Sequence, residues 1–250
     1  FPDQTGSAEH DCEQNEKRGF EYLNAIFFRR HRRLMIRPVM IRLGITGALL
    51  IAAIAASLLL PGFEKQMRGL QNNLLPVFVF VMYFASIGEK ICKAMFYNCD
   101  VSLLRYPFYR NKNAVLHNFK IRLFWVAGLN FITACAVSAA VVCFFVITKI
   151  GLPVEGMAWF VLSILTLSLF FSVHHLFLYY VFQPFTSELG MKNPFYGIIN
   201  YIVYMLCFFC LKIKSAPSYF TMIVLVSTVL YIIVALIIVY KFAPRTFRVK

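Results

Sequence analysis

Two adjacent histidines, His174 and His175, interrupt a long apolar run in the stretch SVHHLFLYY. Ionisable side chains at membrane depth are costly to bury and often relay protons or contact a transported molecule. Asn130 and Thr133, in an earlier apolar run, could line the same translocation path. Both sets could instead serve in packing and hydrogen bonding between helices, and the residues alone leave the two interpretations open.

Motifs of the common enzyme classes do not occur in the sequence. It contains no phosphate-binding loop GxxxxGK[ST], no metalloprotease motif HExxH and no nucleophile motif GxSxG. Cys207 and Cys210 form a CxxC, but they lie in an apolar run among phenylalanines, where buried, unreactive thiols are expected. The chain is therefore predicted to have no enzymatic activity, metal or cofactor of its own.

The composition defines the kind of elements that must position these residues. Of the 250 residues, 60% are hydrophobic and only 14% are charged, and the mean hydropathy is +0.70. Because a soluble domain has about a quarter charged residues, this composition predicts an all-α polytopic membrane protein. The net charge of +14 comes from short basic clusters between apolar runs, which is typical of membrane topology and speaks against nucleic-acid binding.

Six apolar runs are predicted to cross the hydrocarbon core, which takes roughly 20 residues of helix. They are Leu43–Leu60, Leu74–Gly88, Leu123–Ile147, Met157–Phe182, Gly197–Leu211 and Tyr219–Tyr240. Twenty of the 25 Lys and Arg residues fall on one side of this topology. Since basic residues accumulate on the cytoplasmic side, both termini are predicted to lie in the cytoplasm of a multi-pass cell-membrane protein.

The chain ahead of the first predicted span divides into two parts. Residues 1–18 are polar and are expected to be flexible, whereas residues 19–42 contain GFEYLNAIFFRRHRR. In that stretch, apolar residues at helical spacing precede a dense basic cluster, which predicts an amphipathic interfacial helix against anionic lipid headgroups. A stop signal that only fixes topology would have the same composition. Residues 43–250 would then form the six-span domain.

The longest predicted cytoplasmic loop contains AMFYNCDVSLLRYPFYRN. Asp100 is a favourable helix N-cap residue, and Pro107 should prevent helix beyond Tyr106. A helix this short is unstable alone in water, so its own spans or another protein must hold it. Leu103 and Leu104 add aliphatic anchors of the kind that fill a partner's pocket.

This loop, with RRHRRLMIRPVMIR upstream, resembles the permease subunit of a bacterial ATP-binding-cassette exporter of type-2 architecture, of the Ecs-like and peptide-export kind. The similarity in layout covers residues 20 to 245 and consists of an interfacial elbow helix, six spans and a short cytoplasmic helix between spans two and three. In that family the short helix is a coupling helix that fits a groove on the ATPase. The resemblance assigns this role to Asp100, Val101, Ser102, Leu103, Leu104, Arg105 and Tyr106.

The same resemblance implies several partners. A separate cytoplasmic ATPase subunit would carry ATP and Mg, and a second permease half would complete the pathway as a homodimer or internal pseudo-dimer. A second loop, PFTSELGMKNPFYG, could touch the same ATPase through Glu188 and Lys192. The cargo would be amphipathic, either a peptide or a lipid-like molecule, exported from the cell.

Two other function classes remain open from the residues. One is a proton-coupled secondary transporter in which His174 and His175 form the proton site, although the spans contain few acidic residues and no convincing internal repeat. The other is a non-transporting membrane assembly factor or immunity protein, which would need no translocation path.

Overall fold

The computed structural model describes residues 19–60, 74–149, 154–185, 193–213 and 219–247, which are mainly helical with no β-strand among them. In chain order the helices are α1 (Phe20–Arg30), α2 (Arg32–Leu59), α3 (Leu74–Ala85), α4 (Gly88–Met95), α5 (Val101–Leu103), α6 (Lys112–Thr148), α7 (Val154–Phe182), α8 (Pro194–Cys210) and α9 (Phe220–Thr246). A π-helical turn, Phe96–Asp100, joins α4 to α5, and a 3-10 turn, Pro107–Arg110, precedes α6. The polar segment predicted for residues 1–18 lies outside the described residues.

Within the described ranges, five helical stretches are long and apolar enough to cross a membrane: Arg32–Leu59, Leu74–Leu103, Lys112–Thr148, Glu155–Phe182 and Phe220–Thr246. The chain is therefore a polytopic helical membrane protein. The fifth predicted span corresponds to α8, which is apolar but has only 17 residues. At 1.5 Å per residue it is about 25 Å long, somewhat shorter than the roughly 30 Å hydrocarbon core.

The helices extend past the apolar runs that predicted them. α2 and α6 each begin eleven residues ahead of the predicted span starts at Leu43 and Leu123. Hydropathy marks the part of a helix that crosses lipid, whereas the backbone hydrogen bonds continue into the polar region beyond it. The interfacial segment was predicted to extend to residue 42, but α1 ends at Arg30 and α2 begins at Arg32, directly after His31. Most arginines of the predicted segment therefore belong to α2.

α7 is the central helix of the bundle. It packs against α6 and α9 along most of its length and also contacts α3, α4 and α8. α2 and α1 pack instead on α6. The buried face of α7 includes both histidines and a pair of tyrosines, Tyr179 and Tyr180, near its C-terminal end. The predicted polar residues are thus on the two helices, α6 and α7, that have the most neighbours.

The region around the predicted coupling helix differs from expectation. Asp100 is the last residue of a π-helical turn that runs directly into α5, and its side chain makes no capping hydrogen bond. The N-cap prediction was wrong because the chain does not start a new helix there and the carboxylate bonds elsewhere. No α-helix continues past Tyr106, as predicted, but α5 is shorter than expected: it ends at Leu103, a turn follows, and Pro107 begins the 3-10 turn.

Candidate functional site

A bidentate ion pair between Asp100 and Arg122 is the centre of the candidate site. Arg122 Nη1 donates to Asp100 Oδ2 at 2.6 Å, and Nη2 donates to Oδ1 at 2.7 Å. Both side chains are 0% exposed. A parallel pair of charge-assisted bonds is the strongest geometry available to a carboxylate and a guanidinium, and the planar fork fixes their relative orientation. The pair therefore joins the π-helical turn rigidly to α6.

Three tyrosines complete the hydrogen bonding of this pair. Tyr109 donates to Asp100 Oδ1 at 2.9 Å, and Tyr179 donates to Oδ2. Tyr180 Oη accepts from Arg122 Nη1 at 3.1 Å, and Tyr109 Oη also accepts from Nη2 at 2.9 Å. Burial of the phenol is the main reason that the pKa of Tyr109 is raised well above its usual value, and the nearby Arg122 acts in the opposite direction. Tyr109 is therefore a hydroxyl donor at neutral pH.

Asn24 extends the network to α1. Its side-chain oxygen accepts from Arg122 Nε at 3.2 Å, and its amide nitrogen donates to Asn118 Oδ1 at 2.6 Å and to the Phe20 carbonyl at 2.8 Å. One helical turn further along α1, the Phe28 ring stacks on Trp125 of α6 at 4.7 Å between centroids. These contacts hold α1 against α6. Hydrogen bonds around Arg122 therefore connect five elements: α1, the π-helical turn, the 3-10 turn, α6 and α7.

The predicted coupling residues divide into buried and exposed members. Leu104 is 1% exposed and belongs to the hydrophobic core, so it is not an anchor for a partner. Ser102 and Arg105 are exposed, while Val101 and Leu103 are half-buried against the core. Tyr106 is 56% exposed and stacks on Phe108, which is 57% exposed, with ring centroids 5.9 Å apart. The outward surface of this segment is therefore Ser102, Arg105, Pro107 and the aromatic pair.

Asn130 supports an interruption between α3 and α4. Its side-chain oxygen accepts from the Ile87 backbone N–H at 2.9 Å, and its amide nitrogen donates to Ser172 Oγ at 2.8 Å. Thr133 is also buried, but its hydroxyl donates only to the Leu129 carbonyl in its own helix, at 3.3 Å. Of the two residues predicted to line a path, Asn130 connects α6 with Ile87 and with α7, whereas the Thr133 hydroxyl makes no bond outside α6.

The two histidines have different surroundings. His174 is fully buried, and its Nδ1 lies 2.6 Å from Tyr231 Oη of α9. Its Nε2 has no hydrogen-bond partner among the described residues. His175 packs against Gly88, where an added Cβ would lie 2.7 Å from its Cδ2 atom. Only His174 connects helices through side-chain polar contacts.

Glu188 and Lys192, predicted to form a second contact loop, lie outside the described residues. In the part of the chain that the structure describes, no group of three or more His, Cys, Asp or Glu side chains could hold a metal ion. The CxxC cysteines, Cys207 and Cys210, are unpaired thiols on α8. They are buried and half-buried, as expected of small apolar residues.

Sequence reasoning missed most of the residues around Asp100. Arg122 was counted only among the basic residues that set the topology, and Asn24, Tyr179 and Tyr180 were not selected. A signal was present: Arg122 lies four residues after Asn118 and four before Val126, so the three share one helix face that also carries an apolar residue. An arginine on such a face is a candidate for burial beside a carboxylate, and few carboxylates occur near predicted span ends.

Comparison of the chain with protein-family models, with curated proteins and with solved structures found no match.

Proposed function

We propose that the chain is the transmembrane subunit of an ATP-driven exporter for an amphipathic cargo, and that residues 101–110, the docking segment, bind a separate cytoplasmic ATPase. A coupling element must expose anchors to its partner and must be rigidly attached to the spans that it moves. The observation that carries the proposal is that Tyr106 and Phe108 in the docking segment are exposed, while Asp100, directly before the segment, and Tyr109, near its end, both bond Arg122.

The topology that this function needs includes α8 as a sixth span. If α8 is counted as a span, most Lys and Arg residues remain on the cytoplasmic side, together with both termini and the docking segment. A helix of 17 residues is at the short end of the spanning range, about 17–25 residues. A second half, either another copy or a homologous subunit, would complete the pathway, and the exposed apolar faces of α2 and α9 are available to lipid or to that half.

The test compares two matched pairs of aromatic residues. Tyr106→Ala with Phe108→Ala removes the exposed rings of the docking segment. Tyr201→Ala with Phe209→Ala removes two rings of similar exposure on α8. Each variant is purified in mild detergent from its native membrane, and co-purifying chains are identified by mass spectrometry.

We expect a stoichiometric ATPase with the wild type and with the α8 variant, and loss of at least nine-tenths of it with the docking-segment variant. Retention of the ATPase by the docking-segment variant would contradict the assignment of that segment. A stable wild-type preparation without any ATPase would contradict the exporter proposal as a whole.

A second candidate, proton-coupled transport, is favoured by one observation. His174 is fully buried, and its Nδ1 lies 2.6 Å from Tyr231 Oη, so that a titratable side chain of α7 contacts α9. Buried ionisable side chains of this kind occur on proton paths through membranes. In proteoliposomes with an internal pH dye, this function predicts proton flux that His174→Gln abolishes and His117→Gln, at an exposed site, does not. Absence of proton flux from the wild type would exclude it.

A further inference from the structure

The helical stretch Leu74–Leu103 is interrupted inside the membrane-spanning bundle. α3 ends at Ala85, α4 begins at Gly88, and Ser86 and Ile87 between them are not helical. Because α3 has 12 residues, the interruption lies about 18 Å along the helix axis from Leu74. Backbone polar groups exposed by such a break need partners, since lipid supplies none.

Side chains from two other helices supply the main partners. Arg42 of α2 donates through Nη2 to the Ser86 carbonyl at 2.9 Å and to the Phe84 carbonyl at 3.2 Å. Asn130 of α6 accepts from the Ile87 N–H at 2.9 Å. A guanidinium against the free carbonyls at a helix C-terminus is also favoured by the helix dipole. The break is thus held by specific contacts with α2 and α6.

α7 closes the remaining side of the break. The His175 ring lies against Gly88, so closely that a Cβ on Gly88 would be 2.7 to 3.0 Å from three of its carbon atoms. Ser172, one turn before His175, accepts a hydrogen bond from Asn130 at 2.8 Å. The absence of a side chain at position 88 is therefore what lets α4 start in contact with α7.

We propose that Ser86–Ile87 is a latched hinge, in which Arg42 and Asn130 hold α3 and α4 in a fixed relative orientation. α4 continues through the π-helical turn to Asp100 and the docking segment. When the docking segment moves, the backbone transmits that movement to α3 only through Ser86–Ile87. The role of the hinge in transport rests on the proposed function, whereas the latch itself is a property of the isolated chain.

Arg42 is the positioning residue of this hinge. Its Nη2 donates to the Phe84 and Ser86 carbonyls while its Nη1 donates to the Pro38 carbonyl at 3.3 Å, and the single nitrogen of lysine does not reproduce this arrangement. Hydrogen–deuterium exchange of the isolated protein in lipid nanodiscs tests the latch without an ATPase. The variants are Arg42→Lys and Asn130→Ala. Their controls are Arg37→Lys, at an exposed site on the same helix, and Thr133→Ala, at a buried site whose hydroxyl bonds only within α6.

We expect peptides covering residues 84–92 to exchange at least about tenfold faster in both hinge variants, as for loss of a hydrogen bond worth roughly 1.5 kcal/mol. The controls should exchange like the wild type. Unchanged exchange at residues 84–92, or a rise spread evenly over α3, α6 and α7, would overturn the latch. Neither result depends on an ATPase, so failure of the hinge and failure of the exporter proposal are distinguished.

Discussion

Asp100 and Arg122 are 22 residues apart in sequence and form a two-pronged ion pair that no solvent reaches. Each Asp100 oxygen accepts a further hydrogen bond from a tyrosine, and the Arg122 nitrogens donate to Tyr109, Tyr180 and Asn24. Taking two charges out of water is costly, and such a pair persists only where the geometry is good and the remaining donors and acceptors are satisfied. Here both conditions hold, which makes the pair the fixed point between the docking segment and the bundle.

Asp100→Asn should destabilise the protein strongly. The variant leaves the Arg122 guanidinium buried without a counter-charge, and breaking a buried pair in this way costs about 3–5 kcal/mol. The loss should appear as a lower thermal unfolding midpoint in nanodiscs and a lower yield of folded protein.

The matched comparison is the double variant Asp100→Leu with Arg122→Met, which removes both charges together. Replacing a buried pair by apolar residues is often neutral, so the double variant should be more stable than Asp100→Asn. If the single variant were as stable as the wild type, the ion pair would not be the fixed point described above.

Leu104→Ala should be strongly destabilising and Tyr106→Ala nearly neutral, although the residues are two positions apart. Leu104 is in the core, and a buried Leu→Ala change costs about 2–5 kcal/mol. Tyr106 is exposed, so its truncation should change the free energy of unfolding by no more than about 0.5 kcal/mol. Thermal unfolding of both variants in the same nanodiscs measures the difference. Equal destabilisation would show that Tyr106 packs on the protein.

Gly88→Ala should be destabilising, whereas Gly128→Ala should not. An added methyl group at position 88 collides with the His175 ring, and overpacking of this kind costs about 1–3 kcal/mol. No atom of a neighbouring group lies within 4 Å of a Cβ at position 128. There the helix propensity of Ala should add up to about 1 kcal/mol. A Gly88→Ala protein that unfolds at the wild-type temperature would contradict the close packing of α4 on α7.

Tyr231→Phe should cost about 1–3 kcal/mol, because it removes the hydroxyl partner of the fully buried His174. Tyr201→Phe, at an exposed position on α8, is the control and should be nearly neutral. Denaturation in a mild detergent with increasing sodium dodecyl sulfate would compare the two. Similar stability of both variants would mean that the Tyr231 hydroxyl does not contribute to holding α9 on α7.

Hydropathy predicted the coarse fold well because crossing lipid requires long apolar helices, and these are visible in one sequence. It could not predict helix ends, since α2 and α6 continue into polar sequence by backbone bonding alone. It also missed the break at Ser86–Ile87, because the residues that stabilise it, Arg42 and Asn130, come from distant parts of the chain.

Asp100 was selected from the sequence for the wrong reason. Its type and its position before a short helix indicated a cap, which is a local property. Its actual partners are Arg122 and two tyrosines, Tyr109 and Tyr179, the second of which is 79 residues away, so only the tertiary structure brings them together. The exposed aromatic surface at Tyr106, by contrast, followed from local composition and the effect of Pro107.

The order in which the ribosome makes this network has a consequence for biogenesis. Asn24 and Asp100 are synthesised before Arg122, whereas Tyr179 and Tyr180 follow much later on α7. Until α7 inserts, the ion pair lacks two of its hydroxyl partners and the face of α6 that α7 covers is open. We expect a chain ended after residue 149 to be degraded faster than the full chain in a pulse-chase experiment. This result would mean that chains are protected from degradation only once α7 has inserted.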